Sequence, residues 1–477
     1  MSTATQAANQ SDRLDPAIWK IIGVVLLGPL MTGLDSTVVN VSLSKLGQEL
    51  HAPLTTIQWV TSAYLLALAV MLPLSGWLVD RIGGKRVYLI CFTTFTLASL
   101  LCGTAASAQA LIIFRILQGM AGGLLAPMAQ MMVARVAGRH VARVMGFMVM
   151  PILIAPILGP TLAGVILQHA SWRWIFFINL PMGIAATALA IWLLPNDTQE
   201  TQRRVFDLTG FLLLPPGLVL LLHSLENLAS HAETARFSLI ELLLALSLLS
   251  AFVVHGIRKG SSALIDLHLF RRPVFSAAAS TQFLTNAVSF GGQLLLPLYM
   301  LTTQNLSPTQ AGFLLAPAGL GMLCSYPMMG ILTERFGSRK VSSTGALIAL
   351  LGTVPFALFA VSGIPAWATC VALFIRGVGL GAINIPSIAA AYASMPKHVL
   401  PTATTTINIV QRLGGPIATT TLAIFLHTRG MRASHLFSAI GAQTNAHAFA
   451  ATFWLLCGMH LMAVAAARCL PIRPEVS

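Results

Sequence analysis

The 477 residues are 56% hydrophobic and 9% charged, with a mean hydropathy of +0.80. Soluble domains carry about 25% charged residues, so a chain bathed in water over most of its length is excluded. A net charge of +14 would point to nucleic acid or acidic partners in a soluble protein, but here the loops account for it.

In chain order, the opening MSTATQAANQSDRLDP is polar and lacks a basic stretch followed by a short apolar core. No cleaved signal is therefore expected, and the first span is expected to direct insertion. Apolar windows of about 20 residues, enough to cross a bilayer, then recur roughly at 18–42, 57–79, 87–107, 109–133, 144–168, 174–194, 208–228, 237–257, 273–301, 311–333, 341–362, 366–391, 403–427 and 449–470. The runs are continuous rather than ten-residue alternations, which predicts helices and not a barrel. The chain reads as an all-α polytopic membrane protein with fourteen transmembrane helices.

Basic residues set the expected orientation. The tails and the loops after even-numbered spans hold 20 of the 28 lysines and arginines, while loops after odd-numbered spans hold five. Both termini are expected in the cytoplasm, and this asymmetry supplies the excess charge without nucleic acid. The remaining three, Arg115, Arg376 and Arg412, fall inside spans. Cys91, Cys102, Cys324, Cys370, Cys457 and Cys469 lie in or beside apolar runs without metal-like spacing, and read as small apolar side chains.

Two segments repeat. GWLVDRIGGKRV (76–87) follows the second span and GILTERFGSRKV (330–341) the tenth, at an offset of 254 residues. A weaker echo pairs FRILQGMAGG (114–123) with FIRGVGLGAI (374–383). Six spans occupy about 190 residues, so the offset leaves room for two extra helices and predicts a 6 + 2 + 6 layout. The expected units are residues 1–200, 201–262 and 263–477. Repeated halves are the usual architecture of secondary transporters, with the binding site between them at mid-membrane.

At these motifs the chain resembles the major facilitator superfamily, within it the 14-helix drug:proton antiporter branch. GWLVDRIGGKRV is similar to the superfamily's loop between spans 2 and 3, and LIIFRILQGMAGG (111–123) to its span-4 motif. APILGPTLAGVIL (155–167) resembles the antiporter motif of span 5; Ala155 and Ala163 stand where glycine is usual. WRWIFFINLPMG (172–183) and LDSTVVNVSL (34–43) are typical of the same branch. The resemblance implies a proton-coupled exporter of drugs or other small amphipathic compounds, working by alternating access in a bacterial inner membrane. A narrower metabolite or amino-acid exporter on the same scaffold is the alternative. It implies no enzyme and no cofactor beyond the proton gradient. Its expected partners are the bilayer, protons and small molecules, with a monomer expected. It also allows a periplasmic adaptor, although the loop 428–448 is short for docking one.

Physical chemistry reads the motifs independently. Asp80 sits at a helix C-terminus, where the macrodipole disfavours negative charge, with Arg81, Lys85 and Arg86 adjacent. The resemblance implies that Gly76, Asp80, Arg81, Gly83, Lys85 and Arg86 form a cytoplasmic gate; charge that merely fixes topology is the plainer reading. In span 5, Pro156, Gly159, Pro160 and Gly164 predict a kinked helix that permits close packing. Arg115 inside a span must face protein or water.

Of fourteen acids, only Asp35 lies deep in a span. It could form a permanent ion pair with Arg115 that ties two helices together. The resemblance implies instead that Asp35 and Arg115 couple transport to protons. Asn40, Gln118, Asn286, Gln293, Arg376, Asn384 and Arg412 are candidate cavity residues. One deep acid against three deep arginines favours neutral, monocationic or anionic substrates over dications. No GxxxxGK[ST], HExxH or G-x-S-x-G occurs, so neither ATP-driven pumping nor hydrolysis is indicated.

Overall fold

The computed structural model describes residues 16–137, 140–196, 206–230, 235–260, 263–396, 398–436 and 441–472. Helices α1 (Pro16–Glu49), α2 (Leu54–Met71), α3 (Leu74–Ile82), α4 (Gly84–Gly103), α5 (Ala108–Ala137), α6 (Val141–His169), α7 (Trp174–Phe177) and α8 (Asn179–Leu193) form the first half. α9 (Leu208–Ser230) and α10 (Ala235–Lys259) follow. The second half is α11 (Pro273–Thr302), α12 (Pro308–Phe336), α13 (Ser338–Phe359), α14 (Ala366–Ala393), α15 (Leu400–Leu436) and α16 (Gly441–Arg468).

Each of the fourteen expected windows falls on helix. Among the described residues, eleven helical runs are long and apolar enough to cross a membrane, or twelve if the bent pair α2–α3 is one span. That pair turns by 56° across Leu72–Pro73. Proline lacks the amide proton and crowds the preceding turn, so the second span breaks here and swings Ser75 and Gly76 toward α15.

The sequence repeat is also a backbone repeat. Gly83, between α3 and α4, has φ 90° and ψ 155°; Gly337, between α12 and α13, has φ 85° and ψ 156°. Each donates its amide back to the helix it ends, to the carbonyls of Val79 and Thr333, both at 2.9 Å. This backbone region is open essentially to glycine alone. Equivalent helices also approach closely through small residues. Gly119 and Gly123 of α5 lie against the α2 backbone at Tyr64 and Leu68, while on α14 Gly377 lies against the α12 backbone at Ala318 and Gly381 against the Ser325 side chain.

The cores locate the join between the halves. One cluster runs through both, from Met128 and Met132 on α5 to Ile385, Ile388 and Tyr392 on α14 and Ala403 and Ile407 on α15. It lies at the end that carries the loops 76–87 and 330–341, called the basic end below. At the far end the cores are separate: Val38, Val60 and Phe176 belong to one, and Leu295, Phe356 and Phe453 to the other.

Helices α9 and α10 dock on the outside of α15, where Leu214, Leu218 and Phe252 pack with Ile409. The Phe206 ring, preceding α9, lies 4.8 Å from Trp77 of α3, so the insert touches both halves. Asp207 pins its base. Lys259 Nζ and His255 Nε2 each lie 2.8 Å from Oδ1, and the amides of Leu264 and Gly210 donate to the carboxylate at 2.9 and 3.1 Å. Burial pushes this carboxyl upward, but the four hydrogen bonds outweigh it and hold it at about 2.

Gly83→Ala and Gly337→Ala should each lower the thermal midpoint of detergent-solubilised protein, at a cost of about 1–3 kcal/mol per site. Asp207→Asn should lose on the order of 2 kcal/mol at neutral pH. Because the folded carboxyl lies below its unfolded value, that stabilisation is complete above about pH 4 and fades as pH falls toward 2. The difference between wild type and variant in thermal melts should therefore shrink on acidification.

Candidate functional site

Asp35 lies midway along α1 and is 1% exposed. Arg115 and Gln118, three apart and so on one face of α5, reach it together. Arg115 Nη1 donates to Oδ2 at 2.5 Å, Gln118 Nε2 to Oδ1 at 2.9 Å, and Asn179 Nδ2, from the start of α8, also to Oδ1 at 2.9 Å. Ser99 Oγ of α4 accepts from Gln118 and Asn179 at 2.6 and 3.2 Å. Arg115 is fully buried. Its Nε donates to the Val60 carbonyl at 3.1 Å, and its guanidinium lies 4.0 Å from the Tyr64 ring centroid. Five helices, α1, α2, α4, α5 and α8, thus converge on one carboxylate inside the first half.

The ligation is not saturated. Arg115 Nη2, Tyr64 Oη and Asn179 Oδ1 are buried without a hydrogen-bond partner. Removing one member of a buried ion pair leaves an uncompensated charge, at a cost of about 3–5 kcal/mol. The arrangement can therefore be a strut, or a switch in which protonating Asp35 sets Arg115 free to move.

Helices α1 and α6 meet tightly beside it. A side chain at Gly33 would collide with Ala155, and one at Gly159 with Thr37. Ala155 and Ala163, which replace the usual glycines, are fully buried; the close approach is kept because Gly33 is opposite Ala155. Pro156 and Pro160 lie within α6, while Gly164 has open space beside it.

The structure divides the expected gate residues. Gly76 abuts the backbone at Pro401 of α15, and Ser75 Oγ lies 2.6 Å from Thr405 Oγ1, so this stretch joins the halves. Gly83 makes the turn. Lys85 instead binds within its own half, donating to the carbonyls of Ile191 and Leu194 at 2.9 and 2.8 Å and to Asn196 Oδ1 at 3.0 Å, where it caps α8. Arg81 stacks over Trp77 at 5.2 Å. Asp80 and Arg86 lie at the same end, half-buried and exposed respectively.

A further latch sits between α6 and α12. Glu334 is 2.9 Å from Arg143 Nη2 and 3.1 Å from His140 Nδ1. Deeper in, Gln130 Oε1 accepts from Tyr392 Oη at 3.1 Å and Asn408 Nδ2 at 2.9 Å. Gly146 of α6 touches the backbone at Tyr326 of α12, and Gly330 that at Arg143. Gly164 follows Gly146 by five full helical turns on the same face, and Gly319 and Gly312 precede Tyr326 on its face. All three meet nothing within 4 Å. The halves are closed at the basic end and diverge toward the far end.

The candidate cavity residues separate accordingly. Asn40 is exposed and accepts from Thr61 at 3.0 Å. Gln293 and Arg412 are exposed, and Asn286 is half-buried. Asn384 is held by Gln282, which donates to its backbone and side-chain oxygens at 2.8 and 3.3 Å. Gln118 belongs to the Asp35 network instead. Arg376 is buried, its Nη2 donating to the Val288 carbonyl at 2.7 Å. Sequence reasoning missed Asn179 and Ser99 as partners of Asp35, and Gln130, His140 and Arg143 at the closure. Asn179 was the one with a signal, as the polar residue of WRWIFFINLPMG. Among the described residues no group of three His, Cys, Asp or Glu side chains could hold a metal ion.

Comparisons agree with this architecture. The profile of the Major Facilitator Superfamily matches residues 25–419. The multidrug resistance protein B homolog of Mycobacterium tuberculosis is 34% identical over 420 residues, spanning 87% of this chain and 77% of the relative. Among solved structures, the proton:xylose symporter XylE bound to 6-bromo-6-deoxy-D-glucose superposes with a TM-score of 0.61 at 14% identity, covering 96% and 98% of the two chains. A double-tryptophan variant of XylE gives 0.65 at 15% identity, covering 96% and 97%. At such identities the likeness is one of fold.

If the Asp35–Arg115 pair is one coupled unit, Asp35→Asn and Arg115→Gln should each lower stability by about 3–5 kcal/mol. The double variant should lose clearly less than the sum of the two. Thermal melts of the four proteins complete the cycle, and additive losses would remove the coupling.

Proposed function

The chain belongs to the major facilitator superfamily, and we propose that within this family of membrane transporters it is a proton-coupled exporter of drugs or other small amphipathic compounds. The observation that carries the reading is the Asp35–Arg115 pair, a sealed charge network beside two halves that close at one end only. Relatives named for multidrug resistance support export as the direction.

The reading implies a working cycle. Opening of the first half lets a proton reach Asp35. Its neutral form no longer holds Arg115 Nη1, and the five helices that converge there repack. Loss of the proton on the other side restores the pair. The site carries at most one proton per cycle. Conformational exchange consists of breaking Glu334–Arg143 and Gln130–Asn408 at the basic end while the far ends of α6 and α12 approach. The glycines Gly164, Gly312 and Gly319 leave room for that approach.

The same reading places fourteen spans across the bacterial inner membrane, arranged 6 + 2 + 6, as a monomer with both termini in the cytoplasm. Residues 1–200 and 263–477 form the two moving bundles and 201–262 the two-helix insert.

The burial of Asp35 equally fits a static strut, and transport separates the two readings. Purified Asp35→Asn/Arg115→Gln protein, in which no charge is left unpaired, should give no ΔpH-driven accumulation in proteoliposomes while retaining downhill flux. Wild-type-like uphill accumulation would make the pair structural. For topology, reporter fusions at 229–236 and 258–272 should report opposite sides of the membrane; a shared side would remove the two-helix crossing.

A further inference from the structure

On α15, Pro401, Thr405, Asn408 and Arg412 recur at three- and four-residue spacing and so share a face. The first three meet Gly76, Ser75 and Gln130 of the other half and form the floor of the cleft. Arg412, one turn beyond the floor, is exposed. Among the described residues no acid lies within ion-pair distance of it. Gly415, on the same face, packs against the ring of Phe290. Phe290 is 46% exposed and shares its face of α11 with Asn286 and Gln293.

The other deep charges reinforce one sign. Asp35 is sealed, with both oxygens occupied by donors from its own half. Arg376 is a second guanidinium without a carboxylate: it is 4% exposed, and its Nε has no hydrogen-bond partner. A ligand in the cleft therefore meets uncompensated positive charge, an exposed aromatic ring and two amides. Intramembrane charges of this kind mark substrate paths, and a guanidinium's planar fork matches a carboxylate or sulfonate.

Building on the export reading, we propose that Arg412 anchors the acidic group of an anionic amphiphile whose apolar body lies against Phe290. Export of a monoanion against one entering proton moves two charges per cycle. Transport of such a substrate would then respond to membrane potential even without a pH gradient.

The test uses one apolar body with three charges: 1-pyrenebutyrate, 1-pyrenebutanol and a 1-pyrenebutyl trimethylammonium. Binding to the full chain in nanodiscs is read by energy transfer from tryptophan. The wild type should bind the carboxylate at least about tenfold more tightly than the ammonium. Arg412→Gln should erase that preference, and Arg412→Lys, which keeps the charge, should restore most of it. Tighter ammonium binding in the wild type, absence of saturable carboxylate binding, or unchanged carboxylate affinity in folded Arg412→Gln overturns the anchor. The first of these is read on the wild type and so does not depend on a variant folding. Carboxylate binding that depends on Arg412 but gives no flux under either ΔpH or potential supports the anchor and overturns proton-coupled export. ΔpH-driven transport of the ammonium alone overturns the anchor and leaves export standing.

Discussion

A carboxylate and a guanidinium buried together in a membrane-embedded bundle constrain everything around them. Neither can be left alone at low dielectric, since the attraction that holds the pair is the same energy that is lost when one partner goes. Asp35 sits on α1 and Arg115 on α5, so those helices cannot separate without breaking the pair. Asn179, Ser99 and the Val60 carbonyl add α8, α4 and α2 to the same point. Five helices of the first half are thereby tied to one charge pair. Among the described residues, the second half shows no buried carboxylate–guanidinium pair. Its deep arginine, Arg376, is satisfied in part by the Val288 carbonyl, and its packing depends on small residues such as Gly377 and Gly381.

Between these unequal halves the contact is local. Hydrogen bonds and ion pairs at Ser75–Thr405, Gln130–Asn408 and Arg143–Glu334 lie at the basic end. The first is buried and the other two are part-buried, so among the described residues these polar links gather at one end of the interface. Helix-face periodicity explains the wedge. Gly146 and Gly164 share a face of α6, yet only the first meets α12. Two helices in contact at one end and free at the other must diverge.

Helices α9 and α10 are tied to this interface rather than hung beside it. Asp207 fixes the base of α9 to α10 and to the following loop, Ile409 joins it to α15, and the Phe206–Trp77 contact reaches α3. Trp77 immediately follows Gly76, which abuts Pro401. Helices α9 and α10 therefore border the point where the two halves meet.

Sequence alone determined the membrane environment, the helical windows, the repeat and the isolation of Asp35. Those follow from local rules: apolar run length, the sidedness of basic loops, and the energy of a lone acid in lipid. Gly83 and Gly337 were legible as a pair because a backbone conformation reserved for glycine leaves its mark in the sequence. Tertiary structure decided what the charges do. No spacing rule assigns Lys85 to the end of α8 instead of the opposite half, or Gln118 to Asp35 instead of the cleft. Equally, nothing local tells that Arg376 is buried while Arg412 is exposed, since both are single arginines in apolar helices. Their difference arises from the rotation of α14 and α15 against their neighbours, which is set by the packing of the whole bundle and by no residue within either helix.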